Sequence, residues 1–165
     1  MNLISSVTRE WGIGIEGRLL ARIPDDMKRF RAMTSGKAVV MGRGTFVSLP
    51  GPAPLKGRDN FILTSDKSFK ADGATVCNTV GELLKKIGAY ADDDVYIIGG
   101  QSLFSQLLPY CRYAYITKID ISARADRFFP NLDEMESWEP AEVSPEQTYE
   151  GISYKYVTYR NKAIK

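Results

Sequence analysis

The chain has 165 residues, 44% of them hydrophobic and 25% charged, which suits one globular domain over residues 1–165 with a sizeable core. Its formal net charge of +2 and the lack of a dense Lys/Arg run argue against a nucleic-acid surface, and no stretch approaches the roughly 20 apolar residues of a membrane span. There is no histidine, which removes Ser-His and Cys-His nucleophilic catalysis and most zinc sites and leaves proton chemistry to a carboxylate, tyrosine, lysine or water.

In chain order, Leu3–Val7 reads as a first buried strand. Its start lacks the basic flank and long apolar run of a signal peptide, so a cytoplasmic location is expected. Next comes Gly12-Ile13-Gly14-Ile15-Glu16-Gly17, a literal G-x-G-x-x-G. A dinucleotide fingerprint must turn straight from strand into helix, and here Pro24 soon interrupts the residues that follow. A glycine-rich mobile loop able to close over a site is the better reading. A helix is expected over Asp25–Thr34, then a strand over Ala38–Met41. Leu49–Pro54 reads as a rigid surface loop. Strands Phe61–Thr64 and Thr75–Cys77, helix Val80–Ile87, strand Val95–Ile98, helix Ser102–Leu108 and strand Tyr113–Ile119 follow. Such alternation implies a mainly parallel α/β sheet of about eight strands with helices on both faces. Trp138–Val143 and Tyr154–Arg160 flank a polar connection and suggest an antiparallel C-terminal edge. Cys77 and Cys111 lie far apart with no metal spacing and read as buried free thiols. A monomer binding small molecules, without membrane or nucleic-acid partners, is expected, and no metal.

The helix over Asp25–Thr34 carries the most information. Rotating by about 100° per residue puts Asp25 between Lys28 and Arg29 on the charged side. Asp26 falls between Phe30 and Met33 on the apolar side, with Met27 beyond. One aspartate is a surface acid near the positive end of the helix. The other faces the core, where ionisation is costly without a partner. A carboxylate at the rim that helps the helix start and a buried site carboxylate are equally compatible with this pattern.

Three strand ends carry anion-friendly chemistry. Val40-Met41 runs into Gly42-Arg43-Gly44-Thr45, where glycines let backbone approach an anion and Arg43 and Thr45 add charge and a hydroxyl. Ile97-Ile98 runs into Gly99-Gly100-Gln101-Ser102 and a helix with an apolar stripe. Ile62-Leu63 ends at Thr64-Ser65, with Lys67 close by. Any one of these alone is ordinary turn chemistry. All three at the carboxyl ends of strands in one open sheet point to a ligand with several phosphates.

Taken in order along nearly the whole chain, these residues resemble the dihydrofolate reductase family in its bacterial chromosomal form. The resemblance rests on Gly12–Gly17, Ile23-Pro24-Asp25-Asp26-Met27 with Phe30, Val40–Thr45, Gly57-Arg58-Asp59-Asn60, Ile97–Gly100, Tyr115-Ile116-Thr117, Asp126 and Phe129-Pro130. It implies NADPH-dependent reduction of dihydrofolate to tetrahydrofolate, with dihydrofolate and antifolates as partners. It implies Asp26 as the carboxylate that holds the pterin's amino-amide edge and promotes protonation of the ring nitrogen, supported by Thr117. Ile4, Met27, Phe30, Leu49 and Ile98 would wall the pterin and benzoyl groups, and Arg58 would pair with the α-carboxylate of the glutamate tail. For the cofactor, Ser6 and Ile13 would lie along the nicotinamide, with Gly14 and Gly17 in the loop beside it. Thr45, Gly44 and the Gly99-Gly100 turn would hold the pyrophosphate, with Gln101, Ser102 and Phe104 adjoining. Arg43, Thr64 and Ser65 would take the 2′-phosphate.

The chain departs from the family where Pro-Trp usually precedes the catalytic helix: Leu20 and Ala21 stand there. Phe46 follows Thr45, Gly44 replaces a basic or polar residue, and Ser102 stands where many relatives carry an arginine. Two other readings stay open at this level: a riboflavin-pathway-type pyrimidine reductase, against which Asp26 and Arg58 speak, and a non-catalytic pterin or nucleotide binder, which Ala21 allows.

Overall fold

The computed structural model describes residues 1–165. Twelve strands, four α-helices and short 3-10 turns follow one another in the sequence. The strands are β1 (Asn2–Val7), β2 (Gly12–Ile15), β3 (Arg18–Leu19), β4 (Ala38–Gly42), β5 (Asp59–Leu63), β6 (Ala74–Cys77), β7 (Val95–Gly99), β8 (Tyr113–Ile119), β9 (Arg127–Phe128), β10 (Trp138–Val143), β11 (Gln147–Tyr149) and β12 (Ile152–Asn161). The helices are α1 (Pro24–Thr34), α2 (Arg43–Ser48), α3 (Val80–Ile87) and α4 (Gln101–Leu107).

Nine strands form the main sheet in the order β10-β12-β8-β1-β7-β4-β5-β6, with β11 added to β12. The pairs from β8 through β1, β7, β4 and β5 to β6 are all parallel, whereas β12 runs antiparallel to β8, β10 and β11. The mainly parallel sheet with an antiparallel C-terminal edge is thus present, one strand larger than expected.

Residue alternation along the strands explains the layering. On β4, Ala38 and Val40 enter a large cluster with Leu83 and Ile87 of α3 and Leu103, Phe104 and Leu107 of α4. Val39 and Met41 point to the other face and pack with Ile62 and Phe46 of α2. Both faces are therefore covered, and all four of these β4 residues are fully buried. Cys77 and Cys111 are buried and unbridged, and burial pushes the Cys111 thiol up to about 12.

The Gly12–Gly17 segment departs from the expected loop. It forms a hairpin of β2 and β3, and β9 pairs with β2 to complete a separate three-stranded sheet. Glu16 and Gly17 have φ of +48° and +74°, the left-handed pair that a two-residue hairpin turn requires. Asp126 pins this turn: its Oδ2 accepts from the Glu16 N–H at 2.9 Å, and its own N–H donates to the Gly14 carbonyl at 3.0 Å.

Candidate active site

Strand register opens the site. β1 stays paired with β8 from Asn2 to Val7 but with β7 only at Asn2 and Leu3. Beyond Leu3 and Ile97 the two parallel strands part, and β7 slips register against β4 between Val40 and Met41. Ile98 sits in this irregularity, half-buried at the mouth of the gap. A cleft of about 1410 Å³ occupies the divide, at the carboxyl ends of the parallel strands.

Every residue given a substrate or cofactor role from the sequence lines this one cleft, whereas Lys67, named beside the third strand end, does not. From β1 come Ile4 and Ser6, and from β8 comes Thr117, paired directly opposite Ser6. The β2–β3 hairpin contributes Ile13, Gly14 and Gly17. Helix α1 contributes Asp26, Met27 and Phe30, and the loop after α2 adds Leu49. Arg58 enters just before β5. The three strand ends bring Arg43, Gly44 and Thr45, then Thr64 and Ser65, then Ile98, Gly99, Gly100, Gln101, Ser102 and Phe104.

Asp26 projects from the first turn of α1, where Pro24 suits the missing backbone hydrogen bond. Asp25 is exposed, while Asp26 is half-buried and turned inward. Thr117 Oγ1 donates to Asp26 Oδ1 at 2.5 Å, and Thr117 itself is buried. Burial pushes the Asp26 carboxyl above its ordinary range, opposed by the Thr117 hydrogen bond and the Arg29 charge. Such a group can hold a proton at a pH where an exposed aspartate has lost it. It is the single acid lining the cleft, against the arginines 18, 22, 29, 31, 43, 58 and 127.

At the Arg58 end, the guanidinium donates through Nη1 to Thr34 Oγ1 at 3.2 Å and through Nε to the Lys56 carbonyl at 3.0 Å. These bonds orient it without neutralising it. Burial and the neighbouring Arg31 charge both press its ionisation downward, so an anion placed there would relieve an unfavourable field.

At the opposite end, the Gly99-Gly100 turn makes a close-packed cradle whose first residue has a backbone that favours glycine. Gly99 has φ of +131°, and a Cβ on either glycine would lie 3.3–3.4 Å from Thr45 Oγ1. Thr45, far away in sequence, thus abuts both residues. Phe104 is buried beneath, 3.7 Å from a Cβ at Gly99. The Gln101 side chain is turned to the backbone, accepting from the Phe128 N–H at 2.8 Å and tying the small sheet to α4. Ser102 Oγ accepts from Gln106 Nε2 at 2.8 Å. Arg43 forms an ion pair with Asp66 at 2.7 Å and lies over the Phe69 ring. Exposed backbone, hydroxyls and a held arginine are the donor set a dinucleotide with an extra phosphate requires.

Several residues at the site were not anticipated. Asp66 orients Arg43 but stands outside the strand-end motif. Asn78 lines the cleft and donates to the Thr64 carbonyl at 2.8 Å, a role that depends wholly on β5–β6 pairing. Arg29, placed by helical rotation on the charged side, instead lines the cleft over the Tyr156 ring. Its spacing of three from Asp26 was the available signal. Leu20 and Ala21, expected only as departures from the family pattern, also line the cleft beside Asp26's helix, and Ala21 packs against a cluster of Ile23, Ile119 and Tyr154.

An open, mainly parallel sheet split beside one inward carboxylate, with anion-friendly glycine turns at its strand ends, has the architecture of a nucleotide-dependent oxidoreductase. The dihydrofolate reductase family model matches residues 1–161. Dihydrofolate reductases from Staphylococcus aureus and Neisseria gonorrhoeae are 37% and 32% identical. The first aligns over 78% of this chain and 76% of its own length, the second over 98% of each. The bifunctional dihydrofolate reductase-thymidylate synthase of Glycine max is 33% identical over 95% of this chain, which spans about a third of that protein. A solved Enterococcus faecalis dihydrofolate reductase, complexed with NADP(H) and RAB-propyl, superimposes with a TM-score of 0.87 at 32% identity, covering 97% of this chain and 95% of that one. The chain belongs to the dihydrofolate reductase family.

Proposed function

We propose that the protein reduces 7,8-dihydrofolate to 5,6,7,8-tetrahydrofolate with NADPH, as one folding unit acting as a monomer in the cytoplasm, and so supports one-carbon metabolism. The observation that carries this reading is Asp26, held by Thr117 in a cleft whose other end is a glycine cradle bordered by Arg43. Family membership, and the NADP(H) complex of the Enterococcus faecalis relative, support it. A pyrimidine reductase of the riboflavin pathway and a non-catalytic binder are correspondingly disfavoured.

In this assignment, Thr45, Gly44, Gly99 and Gly100 receive the pyrophosphate, with Gln101, Ser102 and Phe104 shaping that wall. Arg43, Thr64 and Ser65 receive the 2′-phosphate. Ser6, Ile13, Gly14 and Gly17 border the nicotinamide. NADPH supplies the hydride when bound. Ile4, Met27, Phe30, Leu49 and Ile98 wall the pterin and benzoyl rings and keep water from them. Arg58 receives the α-carboxylate of the tail. Asp26 holds the amino-amide edge, and its raised proton affinity lets it favour protonation of the imine nitrogen. The reaction needs no covalent nucleophile, and the walls of the cleft contribute by holding two rings in alignment. A ligand that fills the same walls without being reducible would act as an antifolate.

The test is cofactor oxidation by purified protein with NADPH and dihydrofolate, run beside Asp26→Asn. Turnover that collapses in the variant is the expected result. Tight binding of both ligands without turnover would instead support the binding-protein reading.

A further inference from the structure

We propose that Arg29, held against Tyr156, is a positioning residue that sets the charge state of Asp26. The inference rests on the reductase reading only for its consequence in turnover; its structural basis is independent.

Four side chains on three elements gather beside the Asp26 carboxyl. Asp26 and Arg29 are one turn apart on α1 and share a side of the helix. The Arg29 guanidinium carbon lies 4.1 Å from the Tyr156 ring centroid, within the range of a cation–π contact. Tyr156 on β12 is paired opposite Thr117 on β8. Thr117 in turn donates to Asp26 at 2.5 Å. Arg29 takes part in none of the protein's ion pairs, with Asp26 or any other acid, so it acts on the Asp26 carboxyl through space and no closer carboxylate draws its charge away. A free arginine would sample solvent; the aromatic face holds this one beside the cleft.

The groups around the pair leave Arg29 as the controlling charge. From β12, Tyr154 and Tyr156 face Asp26, and both phenols are pushed up by burial, Tyr156 to about 12. From β7 and β8, Tyr96 and Tyr115 feel Arg29 and are likewise raised by burial. Asp93 and Asp94 act on Tyr96 from beyond. Asp25, the other acid on α1, is exposed. The phenols stay neutral wherever a carboxyl titrates. Burial drives Asp26 toward its neutral form, and Arg29 is the one charge opposing it, alongside the Thr117 hydrogen bond.

The experiment is a ¹³C-carboxyl NMR titration of ligand-free protein, with the Asp26 signal assigned by its loss in Asp26→Asn. Arg29→Met should raise the Asp26 midpoint by about half a pH unit, and Arg29→Lys should restore part of the difference. Tyr156→Phe, which keeps the ring face, should leave the midpoint in place; Tyr156→Leu should move it as Arg29→Met does. With NADPH and dihydrofolate, the pH at which turnover declines should move up by the same amount. An unmoved midpoint in Arg29→Met or Tyr156→Leu, with unchanged circular dichroism, would overturn the proposal, as would an equal shift in Tyr156→Phe. Because the titration needs no substrate, a protein that fails to turn over would overturn the reductase reading and leave this one intact.

Discussion

Thr117 and Asp26 lie 91 positions apart in the chain and 2.5 Å apart in space. The threonine comes from a central strand and the aspartate from the first turn of a helix, so their hydrogen bond joins the sheet to the wall of the cleft. The donor is buried, so water cannot replace it cheaply.

Thr117→Val removes the hydroxyl with little change of shape. The carboxyl loses a hydrogen bond that favours its ionised form. Its midpoint should rise, and kcat/KM for dihydrofolate should fall by about tenfold or more, the range of a hydrogen bond to a charged group. Steady-state kinetics across pH, with Tm as a folding control, checks this.

Asp26→Asn should lose activity yet gain stability at neutral pH. The folded-state titration midpoint of Asp26 lies above its ordinary value because of burial. The folded protein therefore holds this proton more tightly than the unfolded chain. Its stabilising contribution is complete below the ordinary carboxyl range and is lost as pH rises through the folded midpoint. At pH 7 the ionised group is a cost that asparagine avoids while still accepting from Thr117. Thermal melts should show a higher Tm for the variant at pH 7, by about 1–3 °C, with the gap vanishing toward pH 3.

Arg58→Met should raise KM for dihydrofolate by about 10–100-fold, the worth of a charge-assisted pair, with kcat changed far less. The guanidinium sits at the end of the cleft remote from the cofactor cradle, so its interaction is expected in ground and transition states alike. Removing the unfavourable Arg31–Arg58 field should leave the free protein no less stable.

Arg43→Met should weaken NADPH by about tenfold and leave NADH nearly unaffected, because only the former carries the extra phosphate. Asp66→Asn provides the complement. It releases Arg43 from its 2.7 Å ion pair, and the NADPH/NADH ratio of kcat/KM should become more sensitive to salt as the arginine loses its anchor.

Hydrophobic pattern alone located most of the sheet. Tyr113–Ile119, Trp138–Val143 and helix Val80–Ile87 have the limits expected from the residues, since β-branched and aromatic runs and an amphipathic stripe are local signals. Helical rotation also turned Asp26 inward and Asp25 outward, as observed. The β2–β3 hairpin was not legible. Its glycines carry no periodicity, and its two-residue partner β9 lies more than 100 residues on.

The sequence by itself determined that a mainly parallel α/β sheet would form, which chemical groups would end its strands, and that one acid would face inward. These follow from residue-to-residue spacing. Tertiary structure decided where β1 and β7 separate, that Thr45 abuts the Gly99-Gly100 turn, that Asp66 holds Arg43, and that Arg29 leaves the solvated face for Tyr156. Each of these depends on strand register and on contacts between distant segments, and a one-residue slip would turn the side chains involved to the opposite face.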